Sequence, residues 1–150
     1  MDRNQPRYQP IPALIGLLFT VHFFQNDQKD NAVILSLCQD KEGNVWAGGY
    51  ASDVINIDRN DRIHIIDLPK KEGSKSTKNY IYAITQDQEG NIWLGGIINE
   101  LMRYNPTTHK VDYYPIKGIN QLLTYGKDTL FVASTKGVII FNIQTEKGDY

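Results

Sequence analysis

The pentapeptide "DQEGN", Asp87 to Asn91, holds the residue types that come nearest to chemistry. Acids, an amide and a glycine this close together could cradle a cation. A calcium loop, however, alternates its acids and ends on a glutamate that grips the ion. "DQEGN" has neither feature. The other reading is a hairpin turn, in which Asp bonds its own backbone and Gly supplies a positive φ. The histidines do not gather into a site. His22 lies in an apolar run, His64 alternates with Ile63 and Ile65, and His109 sits in a turn before Lys110. None has the Glu-x-x-x-Pro context of a phospho-accepting histidine. No Gly-x-Ser-x-Gly, His-Glu-x-x-His or phosphate loop occurs. Cys38 is the only cysteine, which excludes an internal disulfide and a cysteine-rich metal site. It lies in an apolar run and reads as a buried, inert thiol. The chain is therefore not expected to be an enzyme, to hold a metal or to need a cofactor.

Composition narrows the partners. The chain has 150 residues, 41% of them hydrophobic and 22% charged, with a net charge of −1 and no long run of one sign. That gives no electrostatic case for nucleic acid or for an anionic membrane. The nine tyrosines suit strands, and also carbohydrate- or protein-contact surfaces. The N-terminal segment 1–30 stands apart. "IPALIGLLFTVHFF", Ile11 to Phe24, is too short to span a bilayer as a helix and contains His22. Its length suits the core of a secretory signal, with Arg3 and Arg7 ahead of it. Asp2 dilutes that positive end, and no small-x-small cleavage site follows. Two other readings remain: a strand of a preceding β-unit, with "FTVHFFQND" on its outside, and a chance translation ahead of the true start.

The elements that position these residues are repeated. "QDKEGNVWAGG", Gln39 to Gly49, recurs as "QDQEGNIWLGG", Gln86 to Gly96, with eight of eleven letters identical. A period of forty to fifty residues points to solenoids or propellers. Here four short strands fill the period, with no helix signal. In the first copy they are "AVILSLCQD", "NVWAGG", "DVINID" and "IHIIDL"; in the second, "YIYAITQD", "NIWLGG", "ELMRYN" and "KVDYY". A third copy begins at Ile119 with "INQLLTYG", "DTLFVAS" and "GVIIFN", and Phe131 stands where Trp46 and Trp93 stood. Its "TEKGDY" matches "THKVDY", so the chain stops inside a fourth strand, as a fragment would. Four-stranded units of this length are propeller blades. Stacking blades face to face buries both faces of each sheet, which explains continuous apolar runs in place of clean alternation. The expected fold is all-β: an incomplete propeller of about three blades of four antiparallel strands. The segments are 31–68 for blade one, 69–79 for an exposed loop, 80–115 for blade two and 116–150 for blade three. Asp40, Gly43, Trp46, Asp87, Gly90, Trp93 and Phe131 form the structural core of the repeat. The tryptophans fill the gap between blades, and Gly48, Gly49, Gly95 and Gly96 let neighbouring backbone or an aromatic side chain approach.

The Asp-x-x-Gly-Asn-(Ile/Val)-Trp core, present twice, resembles the two-component regulator propeller repeat, and the resemblance runs from Asn31 to Tyr150. That family forms the extracytoplasmic sensors of hybrid two-component systems, best known in gut Bacteroidetes. The resemblance implies a periplasmic or extracytoplasmic location. It also implies a larger protein with more blades, an immunoglobulin-like module, a membrane helix, a histidine kinase and a DNA-binding regulator. None of those later parts is in this chain, and contact with the membrane would come only through them. The chain departs from the family pattern at Gly49 and Gly96, which replace the usual Thr. Ser52-Asp53-Val54 and Asn99-Glu100-Leu101 replace the Gly-Gly-Leu that opens strand three.

In propellers of this kind the loop between strands two and three sits beside the central funnel. The resemblance thus makes Tyr50, Ser52, Asp53, Asn99 and Glu100 the candidate ligand-binding residues. An aromatic face with carboxylates and amides suits a sugar, whose CH groups stack while its hydroxyls bond. The expected partners are a carbohydrate ligand and either the remaining blades of the propeller or a second copy of the chain. Two functions follow. One is a fragment of a ligand-sensing propeller domain for transmembrane signalling. The other is a protein-interaction scaffold that closes its propeller by oligomerising. A propeller lyase would need His, Arg or Glu clustered at the funnel, and the sequence offers no such convergence.

Overall fold

A computed structural model of the chain describes residues 33–50, 54–68 and 80–149. The N-terminal segment 1–30, Ser52, Asp53, the loop 69–79 and Tyr150 lie outside the described residues. Among the described residues, twelve strands make three four-stranded antiparallel sheets, each in simple sequence order. The first holds β1 (Val33–Gln39), β2 (Val45–Tyr50), β3 (Val54–Ile57) and β4 (Ile63–Ile66). The second holds β5 (Ala83–Gln86), β6 (Ile92–Gly95), β7 (Leu101–Tyr104) and β8 (Val111–Tyr114). The third holds β9 (Ile119–Tyr125), β10 (Thr129–Ser134), β11 (Gly137–Asn142) and β12 (Lys147–Asp149). Among the described residues there is no helix. These are three propeller blades, as the repeat predicts. Neighbouring sheets meet through their first strands, β1 against β5 and β5 against β9.

A carboxylate locks the first hairpin of blades one and two. In blade two, Asp87 Oδ1 accepts the backbone N–H of Asn91 at 2.9 Å and of Glu89 at 3.0 Å. Its Oδ2 accepts Asn91 Nδ2 at 3.0 Å and the indole Nε1 of Trp93 at 2.8 Å. Blade one repeats this: Asp40 takes Asn44 N at 2.7 Å, Asn44 Nδ2 at 2.9 Å and Trp46 Nε1 at 2.8 Å. Gly43 and Gly90 supply the left-handed turn residue, with φ of 86° and 89°. Both aspartates are buried, a position a carboxylate tolerates only when hydrogen bonds replace its water. Blade three has lost both halves of the lock. Tyr125 stands at the Asp position and Phe131 at the Trp position, and their rings meet at 6.1 Å. The last turn of each blade, β3–β4, β7–β8 or β11–β12, is also uniform. Asp58, Asn105 and Asn142 accept backbone N–H groups of the turn that follows. Asp61, His109 and Glu146 each take a left-handed conformation, with φ of 59°, 58° and 56°.

Stacking divides the side chains of the middle sheet between its two faces, as the period of two requires. Ala83, Trp93, Leu101 and Tyr114 face the third sheet, in a core with Ile119, Leu122, Leu130 and Phe141. Ile84, Ile92, Leu94, Met102 and Tyr104 face the first sheet, in a core with Trp46, Val54 and Ile81. Each tryptophan thus points forward onto an aromatic ring of the next blade. Trp46 meets Tyr104 edge-on with centroids 5.9 Å apart, and Trp93 meets Phe141 at 5.6 Å. The expectation that both faces are buried holds for the middle sheet. On the outer sheets, Leu37 and Ile65 of the first and Leu123, Tyr125, Val138 and Ile140 of the third are exposed. Phe131, on the outward face of the third sheet, is only half-buried.

The paired glycines do two different jobs. A Cβ on Gly48 would lie 2.8 Å from the side chain of Ile81, and one on Gly95 would lie 2.7 Å from that of Ile119. The side chain admitted from the next blade is therefore isoleucine, not an aromatic: Ile81 just ahead of β5 and Ile119 at the start of β9. A Cβ on Gly49 or Gly96 would strike the carbonyl oxygen of Val33 or Tyr80, at 1.7 and 1.6 Å. That explains why threonine is missing from these two positions. Their own carbonyls accept the N–H of Ile81 and Ile119, each at 3.0 Å, and so tie each blade to the next.

Trp93→Ala should cost roughly 3–5 kcal/mol in denaturant unfolding, because it removes a fully buried ring and opens a cavity. Phe131→Ala should cost under about 1.5 kcal/mol, since its face is partly open already. Equal losses would contradict the stacking. Asp40 gives a pH prediction. Burial works to push its carboxyl up, but the bonds from Trp46 and Asn44 outweigh burial and hold it below the usual range. A depressed carboxylate stabilises the fold at neutral pH and loses that contribution as the carboxylate protonates. The stability gap between the native chain and Asp40→Asn should therefore close as the pH falls through and below the usual carboxylate range. Tryptophan fluorescence during denaturant titrations checks it, and a pH-independent gap would refute it.

Candidate functional site

The two ends of the blades differ in chemistry. One end carries the Asp-locked turns. There Lys41 donates its backbone N–H to Gln86 Oε1 at 2.8 Å and its Nζ to the Gln88 carbonyl at 2.9 Å. Thr124 Oγ1 reaches the Gln86 carbonyl at 3.1 Å. These bonds join all three blades across an open groove that also touches Cys38 and Thr85. The polar groups lining it largely satisfy one another, so it serves first as a seam. Cys38 is half-buried, and burial pushes its thiol up from the ordinary value, which suits an inert sulfur. Among the described residues no group of three His, Cys, Asp or Glu side chains is placed to hold a metal ion.

The other end carries the β2–β3 and β6–β7 loops and the connections between blades. Tyr50 ends β2 and is about half exposed. It forms a bridge with Tyr80, at the entry to blade two, and the two rings meet edge-on at 4.9 Å. The Tyr80 N–H is held by Asn99 Oδ1 at 2.9 Å. Tyr50 and Asn99, from different blades, are therefore brought together through Tyr80. Sequence reasoning missed Tyr80. Its signal was its place one strand-entry ahead of the second repeat, where any residue must pass the bare backbone of Gly96. Glu100 is next in chain and lies 3.9 Å from Lys117 Nζ. Its charge, after burial, helps to raise the Tyr113 phenol.

Sequence reasoning also passed over two aliphatic residues. Ile97 and Ile98 lie exposed in the bend between Gly96 and Asn99. The Ile97 carbonyl accepts Gly118 N–H at 3.1 Å, which anchors that bend to the connection into blade three. This end thus presents two phenol rings, two exposed isoleucines, an amide, a carboxylate and a lysine. It could hold a small ligand with one apolar face and several hydroxyls. Of the candidate residues, Tyr50, Asn99 and Glu100 share this end, while Ser52 and Asp53 fall outside the described residues.

The model of the two component regulator propeller family matches residues 27–51 and 76–97. Comparison with curated proteins gives no match. Among solved structures, the chain is similar to an extracellular domain assigned to the hybrid two component system BT3049 of B. thetaiotaomicron. The identity is 19% and the TM-score 0.66, over 87% of this chain and 18% of that one. A second extracellular domain from that organism, assigned to BT4673, gives 15% identity and a TM-score of 0.62 over 85% and 18%. Virginiamycin B lyase from Staphylococcus aureus gives 17% and 0.68 over 91% and 45%. At such identities the likeness is one of fold, and it extends to a lyase as readily as to these extracellular domains. This chain spans less than a fifth of the two B. thetaiotaomicron domains. The locked Asp–Trp hairpins lie within the two matched stretches, so these two segments, and not the chain as a whole, match the two component regulator propeller repeat.

Proposed function

We propose that this chain is part of the extracytoplasmic sensing propeller of a hybrid two-component system. On this reading the end bearing Tyr50, Tyr80, Asn99 and Glu100 takes a glycan-derived or similar small ligand. Ser52 and Asp53 belong to the same loop and would add polar contacts. Signalling and kinase activity would reside in other parts of a longer protein. The observation that carries the proposal is the Tyr50–Tyr80–Asn99 constellation, built from two repeats on one end of the blades. The matched repeat and the fold shared with two extracellular domains support the location.

The exposed apolar faces favour a second reading, a scaffold that closes its propeller with further blades or with another copy. Leu37 and Ile65 are 67% and 65% exposed at one end of the stack, and Tyr125 is 70% exposed at the other. Faces of that kind mark association surfaces. A discrete dimer by light scattering favours the scaffold.

Titration of the isotope-labelled chain with oligosaccharide fragments of plant and host glycans tests the sensing role. Backbone shifts should move at Tyr50, Tyr80, Asn99 and Glu100, and Tyr50→Ala should weaken binding about tenfold, as loss of a stacking ring does. Shifts confined to the Asp-turn end, or no shifts with any fragment, would overturn it.

A further inference from the structure

The two blade junctions are built on the same plan and differ at their outer rims. Between blades two and three, Arg103 of β7 lies over the rings of Trp93 and Tyr114, with its guanidinium carbon 5.6 Å from each centroid. Its Nη2 donates to Asp112 Oδ2 at 3.0 Å within its own sheet. The same nitrogen crosses the junction to Glu146 Oε1 at 2.7 Å, in the β11–β12 turn. Tyr114 Oη donates to that Glu146 oxygen at 3.0 Å. Gln144 Nε2 adds a crossing bond to Glu89 at 3.2 Å. The third blade is thus bolted to the second at the rim as well as along the inner strands.

At the junction of blades one and two the register places different residues at the same posts. Asn56 pairs with Trp46 as Arg103 pairs with Trp93. His64 pairs with Asn56 as Asp112 pairs with Arg103. Neither repeats the crossing bond. His64 Nε2 turns to Asp58 of its own hairpin at 3.1 Å. His109, at the left-handed post that Glu146 holds, bonds Tyr104 of its own sheet at 2.8 Å. The Asn56 Nδ2 is buried with no hydrogen-bond partner. A buried donor without an acceptor favours any opening that lets water reach it. The inner half of this junction keeps its bonds, from Lys41 to Gln86 and Gln88 and from Ile81 to Gly49.

We infer that the first junction is a rim-side hinge: blade one swings outward about its inner strands, while blades two and three move as one clamped body. The Tyr50–Tyr80 contact spans the hinged junction, so a ligand held by both rings would bias the swing. This last link rests on the proposed binding role; the hinge itself does not.

Native-state hydrogen exchange on the intact chain tests the hinge. Amides of β3 should exchange about tenfold faster than the matching amides of β7, because a swung junction strips β3 of the packing that keeps its ladder to β2 and β4 from opening locally. The double variant Asn56→Arg with His109→Glu installs the crossing pair at posts where the other junction already carries it. It should slow β3 exchange by about tenfold. Arg103→Asn should speed exchange in β8 and β11 and leave β3 unchanged. Equal protection of β3 and β7 in the native chain overturns the hinge. So does a folded double variant whose β3 exchange is unaltered. If the double variant does not fold, the native comparison and Arg103→Asn still decide. Exchange needs no ligand, so failure of the ligand experiment leaves this result standing.

Discussion

One buried carboxylate governs the repeat. In blades one and two, Asp40 and Asp87 collect the N–H groups of their own turn and then reach the indole of a tryptophan six residues on. The bond fixes two things at once. It closes the hairpin, and it fixes the rotamer of the tryptophan, so that the ring projects forward into the next blade. Hairpin geometry and blade stacking are therefore one problem in this chain. The carboxylate is stable in the interior because several donors replace its water, and each donor it satisfies would itself be costly to bury alone. Blade three shows the same logic in reverse. Phe131 brings no indole N–H, and the Asp position opposite it holds Tyr125, whose ring rests against Phe131 instead.

From that lock the junctions follow. The forward tryptophan needs a ring opposite, and finds Tyr104 or Phe141. The entering strand needs room, and Gly48 and Gly95 give it to Ile81 and Ile119. Polar groups then differentiate junctions that hydrophobic packing makes alike. Arg103 with Glu146 ties one rim; Asn56 and His109 leave the other without that tie. A repeat protein can place motion at a chosen junction in this way without altering its core.

Much of the fold was legible in the sequence because the repeat supplied its own alignment. Twelve strands and the turn role of "DQEGN" could be read from period, β-branched runs and turn residues. The alternation of the middle sheet could not be seen as such, since Ile92, Trp93 and Leu94 are all apolar and face both ways. The site was less legible. Tyr50, Asn99 and Glu100 are candidates through the loops they occupy, but Tyr80 depends on a bridge between repeats that no local pattern records. The Asp–indole bond spans six residues and needs the hairpin already folded. Tyr125 at the Asp position gains its meaning only from the sheet register, which sets its ring against Phe131.

A double-mutant cycle on Asp87 and Trp93 tests the account most directly. Asp87→Ala, Trp93→Phe and the double variant would be compared by denaturant unfolding at neutral pH. If the carboxylate–indole bond organises the blade, the two changes are strongly non-additive. The double variant should then be less damaged than the sum by about 1–3 kcal/mol. Additive losses, within about 0.3–0.5 kcal/mol, would mean that hairpin and stacking are independent, and the account would fail at its centre.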